Sequence, residues 1–264
     1  MSFIWSALMP HPPVLIPEVG RGRENEAAKT LAGISELTRE IKDVKPDILV
    51  VLSPHQPYAP GCLFVNNAKN FSGSFAMFGA GNVKIEAETS DELESFCEFL
   101  MDNDVRIYTD TFRDLSRDQG STVPLYFLRK AWGNLPPMII CSPIGLNLNE
   151  AYKLGQSLRN FASEKNFALL ASGDLSHRLT PDAPAGYEPN YAPVFEAAIE
   201  EALRTCSPSP ILELDDTTLE RAGECGLRSV MIMLGLAGEN ETVKIFSHEW
   251  PFGVGYCNAL WLKR

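Results

Sequence analysis

Two short, largely apolar runs with an amphipathic segment between them constrain the fold of this chain more than any other feature. The runs are "FIWSALM" near the N-terminus and "DILVVLSP" at 47–54, and each meets a proline at its end. Strands that are apolar along most of their length are typical of parallel sheets that helices cover on both faces. Between the runs, segment 24–42 has apolar residues at helical spacing, namely Ala28, Leu31, Ile34, Leu37 and Ile41. The chain therefore begins as a β-α-β unit.

The same alternation continues towards the C-terminus. Further strands are predicted at 62–66, 82–87, 105–108, 138–142, 167–172, 243–248 and 254–262. Further helices are predicted at 91–103, 122–132, 148–164, 191–205 and 225–236. Alternating elements of this kind favour an α/β fold with a mixed, largely parallel central sheet flanked by helices. No repeat, low-complexity stretch or linker divides the sequence, so residues 1–264 are interpreted as one domain.

Charge and composition limit the partners and the location that we expect. The net charge of −11 disfavours nucleic acid and anionic membranes as partners. No apolar run approaches the roughly 20 residues of a membrane helix, and the N-terminus lacks the basic region of a signal peptide. The six cysteines are scattered without a C-x-x-C pair, which argues against a disulfide framework. We therefore expect a cytoplasmic protein.

Three of the four histidines directly follow predicted strands. His11 stands in "ALMPHPP", His55 in "VVLSPHQ" and His177 in "LLASGDLSH". If these strands are neighbours in a parallel sheet, their carboxyl ends bring the imidazoles to one rim, where α/β folds bind ligands. Two imidazoles and a carboxylate form the facial triad of non-haem Fe(II) enzymes, which leaves coordination positions open for substrate and O₂. The alternative is that each histidine is a hydrogen-bonded loop residue.

The neighbours of these histidines fit such a site. Prolines on both sides of His11 and before His55 restrict the backbone and lower the cost of ordering a ligand. Asp174 lies three residues before His177, where a carboxylate can orient an imidazole and raise its basicity. A turn or helix-cap role is the alternative for Asp174.

The stretch "RAGECGLRSVMIMLGL" contains the best candidates for a further metal ligand. Glu224 and Cys225 precede a strongly apolar helix and offer one hard and one soft donor atom. Glu224 alternatively stabilises the N-terminus of that helix through its charge. His248, in "FSHEWPFGVGY", alternates within a predicted strand and is interpreted as structural.

Six segments together resemble a known family. In order they are "HPP" at 11–13, "SPHQ" at 53–56, "FSGSFAMFGA" at 71–80, "DQGSTVPLYF" at 118–127, "SGDLSHRL" at 172–179 and "GECGLRS" at 223–229. This set resembles the class III extradiol ring-cleavage dioxygenases, specifically their catalytic LigB-type subunit. Within that superfamily the chain is most similar to the LigB-like domain of the AmmeMemoRadiSam system, and Memo proteins are related.

The resemblance implies a fold, a reaction and roles for individual residues. It implies a single LigB-like catalytic domain that opens a catechol-type aromatic ring with O₂. His11, His55 and Glu224 would be the ligands of Fe(II), or of Zn(II) as in some relatives. His177 would be the acid/base beside the substrate, with Asp174 supporting it. A homodimer is expected from the habit of the family.

Two departures from the family pattern support an alternative function. Gln119 in "DQG" replaces a histidine that many members carry near the metal, and glutamine cannot carry a proton as imidazolium does. Cys225 in "ECG" matches the Memo "CG" motif, so the thiol can replace or accompany Glu224 at the metal. The alternative is a Memo-like metal-binding protein with a redox or interaction role among the partners of an AmmeMemoRadiSam-type system, without ring cleavage.

Overall fold

The structure, a computed structural model, describes residues 2–263 and confirms the predicted α/β class. The strands are β1 (Phe3–Met9), β2 (Ile48–Leu52), β3 (Leu63–Asn66), β4 (Asn70–Phe75), β5 (Ala80–Glu88), β6 (Ile107–Asp110), β7 (Met138–Ser142), β8 (Phe167–Ser172), β9 (Val243–Glu249) and β10 (Tyr256–Leu262). The helices are α1 (Pro17–Gly20), α2 (Ala28–Glu40), α3 (Leu93–Asp102), α4 (Gln119–Trp132), α5 (Leu148–Leu158), α6 (Ala192–Thr205), α7 (Ser209–Leu212), α8 (Asp216–Ala222) and α9 (Leu227–Ala237).

Eight of the strands form one mixed sheet in the order β6-β3-β7-β2-β8-β1-β10-β9. The four central strands β7, β2, β8 and β1 are parallel to one another, while β10 and β9 run antiparallel at one side. On the other side β3 is antiparallel to β7 and parallel to β6. Strands β4 and β5 form a separate antiparallel hairpin. The mixed, largely parallel sheet was therefore predicted correctly.

Helices and the hairpin cover both faces of this sheet, and that explains the apolar runs. Along β2, Val50 faces a cluster that includes residues of α5 and α9, whereas Val51 faces a cluster that includes residues of α2 and α4. Every residue of β2 and β8 is buried. A strand buried on both faces gains from an apolar residue at each position, so its sequence shows no alternation.

Helix α9 is held unusually close to α5, and this contact places the start of α9 at the rim. A Cβ at Gly155 would overlap the carbonyl oxygen of Ile232, and a Cβ at Gly235 would overlap that of Tyr152. Two glycines are therefore needed where the helix backbones touch. The loop just before α9 carries Glu224 and Cys225.

Some element boundaries differ from the prediction. The helix predicted at 148–164 ends at Leu158, because Phe161 turns inwards to pack its ring against Phe3, Phe96 and Phe167. Strand β4 and the short helices α7 and α8 were not predicted, since each is too brief to show a clear apolar period. Within residues 2–263, no helix has both the length and the apolar composition needed to cross a membrane.

Candidate metal centre

The carboxyl ends of three adjacent parallel strands bring the three predicted histidines to one rim. Strand β8 lies between β1 and β2, and His11, His55 and His177 lie in the loops that follow β1, β2 and β8. Parallel neighbours end at the same edge of a sheet, so these loops meet there. From the sequence, a shared rim was expected only if these three strands are neighbours. In the structure they are neighbours.

His11 is the most constrained of the three. It is 3 % exposed, its Nδ1 lies 3.0 Å from the Ser172 hydroxyl, and its backbone N–H donates to Asp174 Oδ1 at 2.9 Å. Burial, together with the nearby His55, lowers the pKa of His11 from 6.5 to about 3. The ring is therefore neutral, and when Nδ1 donates to Ser172 the lone pair is on Nε2.

His55 lies in an exposed loop, yet its ring meets His11 edge to face. The two Nε2 atoms are 3.1 Å apart and the rings are inclined by 84°. Two nitrogen ligands about 2.0–2.1 Å from one metal ion lie about 2.9–3.4 Å apart for bond angles from about 90° to 109°. The separation of the two nitrogens thus fits two ligands of a single ion.

Cys225 projects into the same space from the loop before α9. Its Sγ lies 3.6 Å from His11 Nε2 and 3.8 Å from His177 Nε2. A thiolate about 2.3 Å from an ion lies about 3.1–3.6 Å from an imidazole ligand for the same range of angles. Burial raises the pKa of the Cys225 thiol well above its usual value, so deprotonation needs a cation nearby.

Asp174 completes a compact group of donor atoms. Its Oδ2 lies 3.8 Å from His11 Nε2, and the nearest donor atoms of His11, Asp174 and Cys225 all lie within 4.8 Å of one another. Burial raises the pKa of Asp174 to about 6, against the opposing effect of the hydrogen bond from the His11 backbone. A bound cation would favour its charged form. His11, Asp174 and Cys225 thus form a group with the spacing that a metal ion needs, and His55 Nε2 adjoins this group through its contact with His11.

His177 lies beside the group, with its Nε2 3.8 Å from Cys225 Sγ. It is half-buried, and burial lowers its pKa from the ordinary value of 6.5. Its ring is therefore neutral at neutral pH. A neutral imidazole beside a metal site can take a proton from a ligand or a bound substrate.

Glu224 does not face this group. Its Oε2 accepts a hydrogen bond from the Leu227 backbone N–H at 2.6 Å, and its Oε1 lies 3.6 Å from Arg228 Nη1. The carboxylate is thus used at the start of α9, which is the alternative that the sequence left open. Its assignment as a metal ligand stays a prediction, and the neighbouring Cys225 is the residue that lies among the imidazoles.

Gln119 is the first residue of α4 and is half-buried. The adjacent Asp118 is fully buried and bonds to the loop that carries His55. Asp118 was not predicted as a site residue from the sequence, and neither was Ser172 as a partner of His11. The segments "SPHQ" and "DQG" could have indicated such partners, because their polar residues flank a strand end and a helix start.

The fourth histidine, His248, contacts two glutamates of α6. Its Nε2 lies 2.5 Å from Glu196 Oε2 and its Nδ1 3.1 Å from Glu200 Oε2, both on α6. These contacts agree with the structural role expected from its place in a strand.

Three comparisons with known proteins agree with this fold. The model of the family described as the catalytic LigB subunit of aromatic ring-opening dioxygenase matches residues 6–258. Protein CA_C1420 of Clostridium acetobutylicum is 32% identical over 269 residues, which cover 97% of this chain and 57% of that protein. The chain thus spans little more than half the length of this relative.

A solved structure with the same fold is that of the uncharacterized protein JW3007 from Escherichia coli K12. It superposes with a TM-score of 0.62 over 98% of this chain and 99% of the other, at 14% sequence identity. At this identity the likeness concerns the fold alone.

Proposed function

The chain belongs to the LigB family of catalytic subunits of aromatic ring-opening dioxygenases, and on that premise we propose that it binds a redox-active transition metal through His11, His55 and Cys225. The observation that carries the proposal is the position of Cys225 Sγ, 3.6 Å from His11 Nε2. This is a Memo-like redox function, within an AmmeMemoRadiSam-type system and without ring cleavage.

The donor set supports the choice of metal. Imidazole and thiolate ligands suit Fe(II), Zn(II) and copper, whereas Mg²⁺ and Ca²⁺ prefer oxygen donors. A bound iron or copper ion would supply one-electron chemistry, and zinc would supply Lewis acidity alone. The Ser172 hydroxyl orients the His11 ring, and Asp174 lies beside it as a charge-compensating group.

His177 has a defined task in this proposal. A thiol must lose its proton to become a metal ligand, and the neutral Nε2 of His177 lies 3.8 Å from Cys225 Sγ. His177 accepts that proton and passes it to solvent through its half-exposed ring. Metal binding should therefore release a proton and weaken as the pH falls.

The decisive experiment compares Cys225→Ala with Glu224→Ala under argon. Metal affinity is measured by calorimetry for Fe(II), Zn(II) and Cu(I). We expect Cys225→Ala to lose at least about tenfold in affinity, since removal of an outer partner of a ligand alone costs 10–100-fold. Glu224→Ala should retain the wild-type affinity, because its carboxylate faces Leu227 and Arg228. The opposite pattern would exclude the proposed ligand set.

A second function is ring opening of a catechol-type substrate by O₂ with Fe(II). It is favoured by the family match and by the carboxyl of Asp174, which can stand in the cluster as the carboxylate of a facial triad. In this case His177 Nε2 would take a proton from the substrate hydroxyl and later return it.

A panel of catechols separates the two functions. The Fe(II)-loaded protein is mixed with O₂ and each catechol, and the yellow ring-opened product is followed by absorbance. Product that disappears in His177→Ala while iron remains bound would establish ring cleavage. Absence of product from a protein that binds iron through Cys225 supports the redox function.

A further inference from the structure

We propose that Asp118 is the positioning residue that fixes His55 against His11. It acts through a buried chain of hydrogen bonds, and in each bond one group can be only the donor and the other only the acceptor. The inference rests on the proposed metal site, because it concerns how one ligand of that site is held. Asp118 is fully buried and lies immediately before α4, far from His55 in the sequence.

The chain begins at Asn66, the last residue of β3. Asn66 Oδ1 accepts hydrogen bonds from the backbone N–H groups of Ala68 and Phe112, both at 3.1 Å. These two donors fix the orientation of the side-chain amide, so its Nδ2 must point the other way. It donates to Gln56 Oε1 at 2.9 Å. The backbone therefore determines which end of each amide faces its neighbour.

The orientation of the Gln56 amide in turn determines which kind of group Asp118 must present. Because Gln56 Oε1 faces Asn66, its Nε2 faces Asp118 Oδ2 at 2.5 Å and needs an acceptor there. The Ser121 hydroxyl also donates to this oxygen, and the Ser121 backbone N–H donates to Oδ1. Only a carboxylate, which accepts on both oxygens, satisfies all of these donors.

The last step reaches the loop of His55. The Ser53 hydroxyl donates to Asp118 Oδ1 at 2.5 Å, which leaves its oxygen free to accept from the His55 backbone N–H at 3.2 Å. The first turn of α4 also packs against the ring, since a Cβ at Gly120 would overlap the Ser53 hydroxyl and lie 3.1 Å from His55 Cδ2. His55 itself is exposed to solvent, and these hydrogen bonds connect its backbone to the buried Asp118.

The test is Asp118→Asn. An asparagine can still cap α4 by accepting from the Ser121 backbone, because Asn and Asp are equally good caps. Its Nδ2, however, would face the donor Nε2 of Gln56, and turning Gln56 over would only move the conflict to Asn66. We expect a loss of about 10–100-fold in Co(II) affinity, as for other partners of metal ligands. The visible spectrum of the bound Co(II) should also change, because His55 leaves its position.

A double variant reverses the polarity of one link and should rescue binding. In Gln56→Glu/Asp118→Asn, the new carboxylate accepts both from Asn66 and from the new amide, and the total charge is unchanged. Affinity and spectrum should return towards those of the wild type. A merely structural role for Asp118 would not be repaired in this way.

Controls separate failure of the inference from failure of the metal site. Asp215→Asn changes another capping carboxylate, which accepts from Thr218 at the start of α8, and should leave Co(II) affinity unchanged. If Asp118→Asn does not fold, Ser53→Ala removes the hydroxyl that joins Asp118 to the His55 backbone, leaves the bonds among Asn66, Gln56 and Asp118 in place, and should weaken binding. A wild type that binds no Co(II) would defeat the proposed site. Wild-type affinity in Asp118→Asn, together with a loss in His55→Ala, would overturn the positioning role alone.

Discussion

Gly226→Ala is expected to destabilise the fold and to displace Cys225 from His11. Gly226 has φ −98° and ψ −11°, which alanine adopts freely, so the effect is steric. An added Cβ would lie 2.9 Å from two backbone atoms of Gly173 and 3.0 Å from the Asp174 carbonyl oxygen. Ordinary contacts begin at 3.4 Å, and no flexible side chain is available to yield. The loop before α9 must therefore move away from the end of β8.

The change in the free energy of unfolding of Gly226→Ala is the sum of two opposing effects. Overpacking of this kind costs about 1–3 kcal/mol. The lower entropy of the unfolded alanine chain returns about 0.4–1 kcal/mol. A net loss of about 1–2 kcal/mol corresponds to a fall in Tm of about 2–8 °C for a chain of this size. Metal affinity should fall as well, because Cys225 precedes the displaced residue.

Urea unfolding measures the loss of stability and calorimetry measures the loss of metal affinity. Gly81→Ala is the control. The nearest atom to a Cβ at Gly81 is the Ala76 side-chain Cβ at 3.3 Å, between β4 and β5, so a shift of about 0.1 Å restores an ordinary contact. That variant should keep the stability and the metal affinity of the wild type. Equal behaviour of the two alanine variants would refute the argument that the Gly173–Gly226 contact sets the position of Cys225.

Two further predictions concern stability. Burial lowers the pKa of His248, but the hydrogen bonds and charges of Glu196 and Glu200 outweigh it and raise the pKa above 6.5. The group therefore stabilises the fold fully below about pH 6.5 and loses this contribution as the pH rises through the raised pKa. The stability difference between wild type and His248→Gln, from urea unfolding, should shrink as the pH rises above about 6.5; a constant difference would contradict the ion-pair assignment. Leu169→Ala, at a fully buried position of β8, should cost about 2–5 kcal/mol in the same assay, and a smaller cost would mean that the central sheet is loosely packed.

Much of the fold could be predicted from local sequence patterns. The apolar runs of β1, β2 and β8 and the amphipathic spacing of α2 are visible because each pattern repeats within a few residues. The same runs located His11, His55 and His177, since a loop residue after a buried strand lies at the sheet edge. Strand β4 was missed because its glycine and serines dilute the pattern.

The choice between Glu224 and Cys225 could not be made from local sequence. Adjacent residues in a loop point in different directions, and which one faces the imidazoles depends on how α9 docks. The Glu224 carboxylate accepts from the Leu227 N–H at the start of α9, the loop before α9 lies against Gly173 at the end of β8, and the Cys225 thiol lies 3.6 Å from His11 Nε2.

The sequence by itself determined the α/β class, the parallel core and the three histidines at strand ends, because these follow from patterns of burial along the chain. Only the tertiary structure decided that Cys225 and Asp174 share the space of His11, and that Asp118 and Asn66 hold the loop of His55. Those contacts join segments that are far apart in sequence. Their geometry depends on the docking of whole elements, which no local pattern encodes.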